Sequence, residues 1–199
     1  MKYNNSIIEE GAIIGENVKI GPYCYIRSNV TIKNDCVLVA NVSIGAAPQY
    51  KGGKNIGGKI VIDSGTEIRE FVTINSPVKE LTYVGVECLL MANCHIPHDC
   101  FMDDHSVLVV GAALGGYAHV GKHCQIGLNA SLHQFSDLGD YCMVGAGSFF
   151  KGKSPGGIIW AGIPAKPLKV NIIGINKYAS DFEKSDIIIK ATKYIDEML

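Results

Sequence analysis

Aliphatic residues recur at every sixth position along most of the chain, and we call these positions the ladder. The first series starts at Ile8 and, after an interruption, ends at Ile74; a second series, shifted by four residues, extends from Val84 to Phe150. Neither a helix, with a period of 3.6, nor a single strand, with a period of 2, produces this spacing. One flat side of a triangular parallel β-helix does. The pattern therefore predicts an all-β solenoid, a left-handed parallel β-helix of roughly seven to eight coils.

Glycine often follows the ladder residue directly. The nine positions are Gly15, Gly21, Gly45, Gly85, Gly115, Gly121, Gly127, Gly139 and Gly145. A tight corner needs unusual backbone angles, so we expect these glycines to supply conformational freedom at the corners. Each ladder side chain should point inward, and stacked coils should bury a continuous aliphatic column that one coil alone could not bury.

Two stretches interrupt the ladder, and the C-terminal quarter of the chain departs from it. Residues 46–60 predict a surface loop inserted over one coil, and residues 76–83 predict a shorter protrusion. Loops of this length without structure of their own are usually functional. We therefore expect a β-helix over residues 1–150 and an irregular cap with a C-terminal α-helix over residues 151–199.

Composition excludes several classes of protein. Of the 199 residues 47% are hydrophobic and 19% are charged, which argues against a disordered chain, and a formal net charge of −1 argues against a generic nucleic-acid binder. No apolar segment has the length of a membrane span or the form of a signal peptide, so we expect a cytoplasmic protein. The seven Cys lack a Cys-x-x-Cys motif, which indicates reduced packing residues rather than disulfides or a zinc site.

The ends and faces of such a β-helix predict self-association. Flat parallel faces commonly pack against copies of themselves, and an amphipathic C-terminal helix must dock on its own β-helix or on a neighbour. We therefore expect a homotrimer. Between residues 151 and 177 there are five Lys and no acid, which suits a phosphate-bearing or acidic partner, although an ordinary solvated face has the same composition.

The segment from Leu89 to Cys100 reads Leu-Leu-Met-Ala-Asn-Cys-His-Ile-Pro-His-Asp-Cys. It resembles the active-site coil of the acyl-carrier-protein–UDP-N-acetylglucosamine O-acyltransferases of lipid A biosynthesis, and further matches at 68–74, 132–135 and 170–174 extend the resemblance over most of the chain. The resemblance implies a trimeric acyltransferase with its sites between subunits. It would move an acyl group from a thioester to a nucleotide-activated sugar, without a permanently bound cofactor.

Three residues carry the chemistry that this resemblance implies. His98 is the implied general base, because imidazole can take the proton of an attacking hydroxyl or amine near neutral pH. Asp99 is the adjacent carboxylate. Gly116, one coil later, is implied as the amide that stabilises the thioester oxyanion. Each position also has a structural interpretation without a catalytic role: His98 and Asp99 as solvated side chains at a corner, and Gly116 as one of 23 glycines.

Other positions correspond to those with which the family binds its substrates, although at Asn75 and Lys177 the residue type differs. On the acceptor side these are His95, His133, Gln49, Asn75, Asn171 and Lys177. On the acyl and cofactor side they are Met143, Ala146 and Lys166. Lys166 ends an Ala-Gly-Ile-Pro-Ala-Lys string that also resembles coenzyme-A-using hexapeptide acetyltransferases, so both acyl carrier protein and coenzyme A stay open as the donor.

The departures from the family pattern concentrate on the acceptor side. An acid of the family is replaced by Tyr50 and another by Ile173, two histidines by Asn75 and Tyr117, and the paired arginines for nucleotide phosphate by Lys177 and Tyr178. The half of the site that holds the thioester and the base is thus kept, while the half for UDP-N-acetylglucosamine is altered. We therefore favour an amino sugar of surface-polysaccharide or lipopolysaccharide assembly as the acceptor, acylated on nitrogen.

Three other interpretations stay open. The chain could be a shortened UDP-N-acetylglucosamine O-acyltransferase of lipid A biosynthesis. It could also be a non-catalytic trimeric binding scaffold, since a fold does not determine a function. His95 and His98 could instead belong to a metal site between subunits, as in the carbonic anhydrases that share this β-helix. No third ligand follows at a metal-like spacing, so we expect no metal.

Overall fold

The computed structural model describes residues 5–51 and 57–198. Most of the strands are two to four residues long. In chain order the strands are β1 Ile7–Ile8, β2 Ile13–Ile14, β3 Lys19–Ile20, β4 Tyr25–Ile26, β5 Val30–Ile32, β6 Val37–Leu38, β7 Ser43–Ala46, β8 Lys59–Ile62, β9 Glu67–Ile68, β10 Thr73–Asn75, β11 Leu81–Val84, β12 Leu89–Leu90, β13 His95–Ile96, β14 Phe101–Met102, β15 Val107–Leu108, β16 His119–Val120, β17 Gln125–Ile126, β18 Ser131–Leu132, β19 Asp137–Leu138, β20 Met143–Val144, β21 Phe149–Phe150, β22 Lys153–Ser154, β23 Ile158–Gly162 and β24 Ala165–Val170. Two helices follow, α1 Ile172–Tyr178 and α2 Asp181–Met198.

The strands stack into three sheets, one for each side of a triangular prism. Sheet A contains β1, β4, β7, β10 and β13, and bridges through Ala113 continue it to β18 and β21. Sheet B has eight strands, from β2 to β22, and sheet C has nine, from β3 to β24. Strands from successive coils pair in parallel, as His119 does with Asp137, 18 residues further on. This topology confirms the parallel β-helix of about eight coils, and the six-residue period is that of the left-handed form.

The ladder forms the core. Every ladder residue from Ile26 to Phe150 is buried, whereas Ile8, Ile14 and Ile20 are only partly buried, because the first coil has a neighbour on one side only. Burying an Ile or Leu side chain contributes about 1.5–3 kcal/mol, so the stacked column is the main favourable term. All seven Cys are buried, free thiols in or beside this core, which confirms their role in packing.

The glycines after the ladder do not serve the purpose that we expected. Of the nine, only Gly45 has a positive φ, of 100°. Most corner positions with positive φ carry other residue types, among them Asp99 at 58° and Tyr117 at 60°, and a few carry a glycine three residues after the ladder, such as Gly111 at 73°. Glycine is needed instead because the next coil approaches too closely. At Gly21, for example, a Cβ atom would lie 1.5 Å from the carbonyl oxygen of Val39.

The two interruptions are shorter than the sequence indicated, because strands begin inside them. Residues 47–51 have no regular structure, residues 52–56 lie outside the described part of the chain, and β8 starts at Lys59. In the second interruption β11 starts at Leu81. Residues 76–80, which we call the protrusion, are therefore the part that departs from the coil.

The cap contains more regular structure than its composition suggested. Strands β23 and β24 form an antiparallel hairpin at the edge of sheet C. An edge strand tolerates proline, so Pro167 fits there. Helix α2 packs through Ala191 and Ile195, and its Tyr194 hydroxyl donates to the Lys153 carbonyl oxygen at 3.1 Å. Neither of the described helices is long and apolar enough to span a membrane.

Candidate active site

His98 and Asp99 occupy the corner that follows β13, between sheets A and B. The Nδ1 atom of His98 lies 2.9 Å from Oδ2 of Asp99, and the two side chains are only 10% and 5% exposed. A carboxylate accepts hydrogen bonds, so Nδ1 is the nitrogen that carries the proton. Nε2 of the neutral ring is then left with its lone pair. This is the tautomer that a general base requires.

The protrusion fixes the orientation of Asp99. The backbone N–H groups of Val78 and Lys79 donate to its two carboxylate oxygens, each at 2.9 Å. The backbone N–H of Asp99 donates in turn to Oγ1 of Thr82 at 2.9 Å. Hydrogen bonds to a charged acceptor are among the stronger ones in proteins. The carboxylate is therefore held in place from the neighbouring coil, and through it the imidazole.

Gly116 lies one coil further on, directly against the His98 ring. A Cβ atom at this position would be 2.6 Å from Cε1 and 2.7 Å from Nε2 of His98. Any side chain at residue 116 would therefore displace the imidazole. Within the described part of the chain the Gly116 N–H donates no hydrogen bond, so it is available to a ligand.

Two aromatic residues flank the base. The ring centroids of Tyr50 and Tyr117 lie 5.8 Å and 5.1 Å from that of His98, both in edge-on arrangements. Burial, and then the charge of Asp99, raise the pKa of the Tyr117 phenol above its ordinary value. Both tyrosines stand where the resembled family has polar or ionisable residues, so the structure brings these two departures to the base itself.

His95 and Asn75 lie on sheet A in neighbouring coils. Nδ1 of His95 lies 2.8 Å from Oγ1 of Thr73, and burial lowers the pKa of His95. The side-chain amide of Asn75 donates to the Ala47 carbonyl oxygen at 3.1 Å, while its own oxygen is buried without a partner. Asn75 thus fixes the start of the first loop, on which the exposed Gln49 lies next to Tyr50.

His133 lies apart from this group. It is at the corner after β18, where its Nδ1 atom is 2.9 Å from the carbonyl oxygen of Gln134 and its ring is edge-on to Phe149 at 5.9 Å. The described contacts join it to neither His98 nor Asp99.

The remaining predicted residues lie on sheet C and in the cap. Met143 is in β20, Ala146 is exposed at the next corner, and the exposed Lys166 is in β24. Asn171 caps α1 by accepting from the Gly174 N–H at 3.2 Å, and the exposed Lys177 is in the last turn of α1. Within one chain these five residues do not meet His98, which lies between sheets A and B.

The sequence analysis missed three contributors to the site. Lys79 and Val78 supply the backbone donors to Asp99, and Thr82 accepts from its N–H. They lie in or next to the protrusion, where the six-residue period fails, so no spacing argument could have placed them. In residues 5–51 and 57–198 no group of three His, Cys, Asp or Glu side chains could hold a metal ion.

Comparison with known proteins agrees with this architecture. The family described as bacterial transferase hexapeptide (six repeats) matches residues 11–46. LpxA from Acinetobacter baumannii is 27% identical, with a TM-score of 0.77, over 99% of this chain and 90% of that one. LpxA from Bacteroides fragilis, described as a UDP-N-acetylglucosamine acyltransferase, is 27% identical, with a TM-score of 0.81, over 99% and 91%. The corresponding acyltransferase from Campylobacter jejuni is 26% identical, with a TM-score of 0.77, over 93% and 81%.

These findings identify first a class and then a closer likeness. The parallel β-helix and the match at residues 11–46 make the chain similar to hexapeptide-repeat transferases, and the similar solved structures support an acyltransferase. Within that class the chain is LpxA-like along nearly its whole length. The resemblance drawn from residues 89–100 is thereby confirmed.

Proposed function

We propose that the chain transfers an acyl group from a thioester to a nucleotide-activated sugar in the cleft beside His98. The observation that carries this proposal is the position of the imidazole, with Nδ1 on the buried Asp99 and Nε2 against Gly116, whose N–H has no partner among the described residues. A base and an oxyanion donor next to each other are the two groups that acyl transfer requires.

The steps follow from this geometry. Nε2 of His98 takes a proton from the acceptor amine or hydroxyl as that group attacks the thioester carbonyl carbon. The carbonyl oxygen becomes an oxyanion, which accepts from the Gly116 N–H. The C–S bond then breaks, and the imidazolium returns its proton to the leaving thiolate. Asp99 keeps the Nδ1 proton in place and stabilises the transient positive charge.

The acceptor that we favour is an amino sugar of surface-polysaccharide or lipopolysaccharide assembly. UDP-N-acetylglucosamine is named for the similar acyltransferases of Bacteroides fragilis and Campylobacter jejuni. In this chain Tyr50 and Tyr117 flank the base, and their rings offer apolar faces rather than carboxylate acceptors for sugar hydroxyls. The second candidate is O-acylation of UDP-N-acetylglucosamine by a shortened enzyme, which the coverage of 90% and 91% of two relatives favours.

The donor is the thioester of acyl carrier protein or coenzyme A, bound as a co-substrate. The five Lys between residues 151 and 177, with Lys166 and Lys177 exposed, support a donor with phosphates or an acidic surface. Met143 lies on sheet C, as Lys166 does, and Ala146 lies at the corner that follows β20. We place the acyl chain on this side of the prism.

A homotrimer would complete the site. His98 lies at one edge of the prism, whereas Met143, Lys166 and Lys177 lie on sheet C or in the cap. In a trimer the edge of one copy faces a side of the next, so each cleft would draw on two chains. Sedimentation equilibrium on the wild-type protein should give a species of three chains. A monomer at micromolar concentration would contradict the proposal.

A thiol-release assay tests the reaction. Acetyl, butyryl and 3-hydroxyacyl thioesters of both carriers are crossed with UDP-N-acetylglucosamine and a panel of UDP- and dTDP-amino sugars. We expect turnover with an amino sugar, because the base is present and the acceptor side is altered. Turnover with UDP-N-acetylglucosamine alone would establish the second candidate. No thiol release in the whole panel by a folded trimer would favour a binding scaffold.

Gly116→Ala is expected to lower the rate of thiol release by about a hundredfold, because the new methyl group would displace the His98 ring. The backbone N–H stays, and φ at this position is outside the left-handed region, so the melting temperature should barely change. Gly145→Ala is the matched control, since its Cβ would meet no heavy atom closer than 3.4 Å. Equal rates for the two variants would rule out a role for the gap at residue 116.

A further inference from the structure

A cleft of about 550 Å³ opens on sheet B next to Asp99. Its lining residues are Lys79, Glu80, Leu81, Asp99, Phe101 and Tyr117. Phe101 is 40% exposed in its wall, and Tyr117 both lines the cleft and contacts the His98 ring edge-on at 5.1 Å. A molecule that reacts at His98 can therefore extend into this space.

Lys79 places a cation at this cleft, whose lining also includes the carboxylates of Glu80 and Asp99. Its ammonium lies 5.2 Å from the centroid of the Tyr117 ring, within the range of a cation–π contact. It forms no ion pair with a described residue. Three lysines on or next to sheet B do have carboxylate partners: Lys33 with Asp63, Lys122 with Asp104 and Lys153 with Asp137.

The side chain of Lys79 is not needed to build the catalytic corner. Its backbone N–H holds Asp99, and every residue type except proline can supply that donor. The carboxylate oxygens of Asp99 are already bonded to Val78, Lys79 and His98. The ammonium therefore takes no part in this hydrogen bonding. Lys79 lines the cleft in which an acceptor would lie.

We propose that Lys79 and Tyr117 form a subsite that recognises an anionic group of the acceptor. The ammonium pairs with an oxyanion, and the Tyr117 ring, itself stacked on Phe135 at 4.8 Å, holds the ammonium in place through the cation–π contact. Both groups contact the Tyr117 ring, whose centroid is 5.2 Å from Nζ of Lys79 and 5.1 Å from the centroid of His98. The recognised charge therefore lies within about 10 Å of the base.

Two parts of a nucleotide sugar carry an oxyanion at such a separation, a carboxylate on the sugar and the first phosphate of the nucleotide. The shared chemistry is a charge-assisted hydrogen bond from an ammonium to an oxyanion. The inference rests on the proposed function for the kind of acceptor, but anion binding can be measured without turnover.

Isothermal titration calorimetry tests this with UDP, UDP-N-acetylglucosamine and UDP-glucuronic acid as probes. The proteins are the wild type, Lys79→Gln, Lys79→Arg and Lys19→Gln, the last being a control at an exposed lysine in β3. Lys79→Gln should bind the recognised probes about tenfold more weakly, because it loses one charged contact. Lys79→Arg should retain most of the affinity, and Lys19→Gln all of it.

Each outcome decides the question. An equal loss for all three probes identifies the phosphate, and a loss confined to UDP-glucuronic acid identifies the sugar carboxylate. Affinities within twofold of the wild type, an equal loss in Lys19→Gln, or no binding of any probe by the wild type would overturn the proposal. Binding that depends on Lys79, in a protein without thiol release, would instead refute the transferase and leave the anion subsite standing.

Discussion

His98→Ala is expected to lower the rate of acyl transfer by about a thousandfold, the largest effect of any single change in this site. A positioned general base typically contributes a factor of about 10²–10⁴, and no second imidazole of the described residues is in contact with the ring of His98. The corner should stay folded, because Asp99 keeps its bonds to Val78, Lys79 and Thr82. The measurement is single-turnover thiol release with the donor and acceptor that the wild type uses.

The matched control for this variant is His105→Ala. His105 lies at another corner of the prism, 3.3 Å from a carboxylate oxygen of Glu87 and stacked on His123, so its loss should leave the rate within about twofold of the wild type. Partial recovery of His98→Ala with added imidazole would show that a base is what is missing. An unchanged rate in His98→Ala would exclude the mechanism, and unchanged binding without any turnover would favour a scaffold.

The predictability of the fold and that of the site differ for a physical reason. A β-helix repeats one local rule, so Ile26 or Ile96 is predicted to be buried from its spacing alone, and both are. His98 and Gly116 are one coil apart, and the repeat therefore brings them together without any knowledge of loops. Each of these contacts follows from the period of the sequence.

Features that break the repeat could not be predicted in this way. The bonds from Val78 and Lys79 to Asp99 depend on the path of the protrusion, which has no period. Tyr50 reaches His98 from an irregular loop. The hairpin of β23 and β24 does not follow the six-residue period, and the sequence does not show that β24 is an edge strand, where Pro167 is tolerated. The acceptor side of the site is built mainly from such segments, so its contacts could not be predicted from the period of the sequence.

The glycines after the ladder form a regular pattern, but the reason that we gave for it, backbone freedom at the corners, was wrong. We expected them at corners for their backbone freedom, yet at Gly21 the φ angle is outside the left-handed region and the Cβ position is occupied by the Val39 carbonyl. The corner angles fall to residues such as Asp99 and Tyr117. In this β-helix, then, the glycine after the ladder allows close stacking of the coils.

Gly21→Ala is accordingly expected to destabilise the protein by about 3 kcal/mol, at the upper end of the range for overpacked sites. The added methyl group would lie 1.5 Å from the carbonyl oxygen of Val39, and a backbone atom cannot rotate away as a side chain can. Relief requires the coils to separate, which also strains the bond from the Gly21 N–H to the Leu38 carbonyl oxygen, now 2.8 Å long. For a chain of 199 residues the melting temperature should fall by about 6–12 °C.

Gly145→Ala is again the matched control, since Gly145 also follows a ladder residue and also has a φ outside the left-handed region. Its Cβ would meet Oγ of Ser148 at 3.4 Å, an ordinary contact, so the free energy of unfolding should stay within about 0.5 kcal/mol of the wild type. Thermal unfolding followed by circular dichroism compares the two. Similar losses in both variants would mean that glycine is required for its backbone angles after all, whereas a loss in Gly21→Ala alone would assign its role to the spacing between coils.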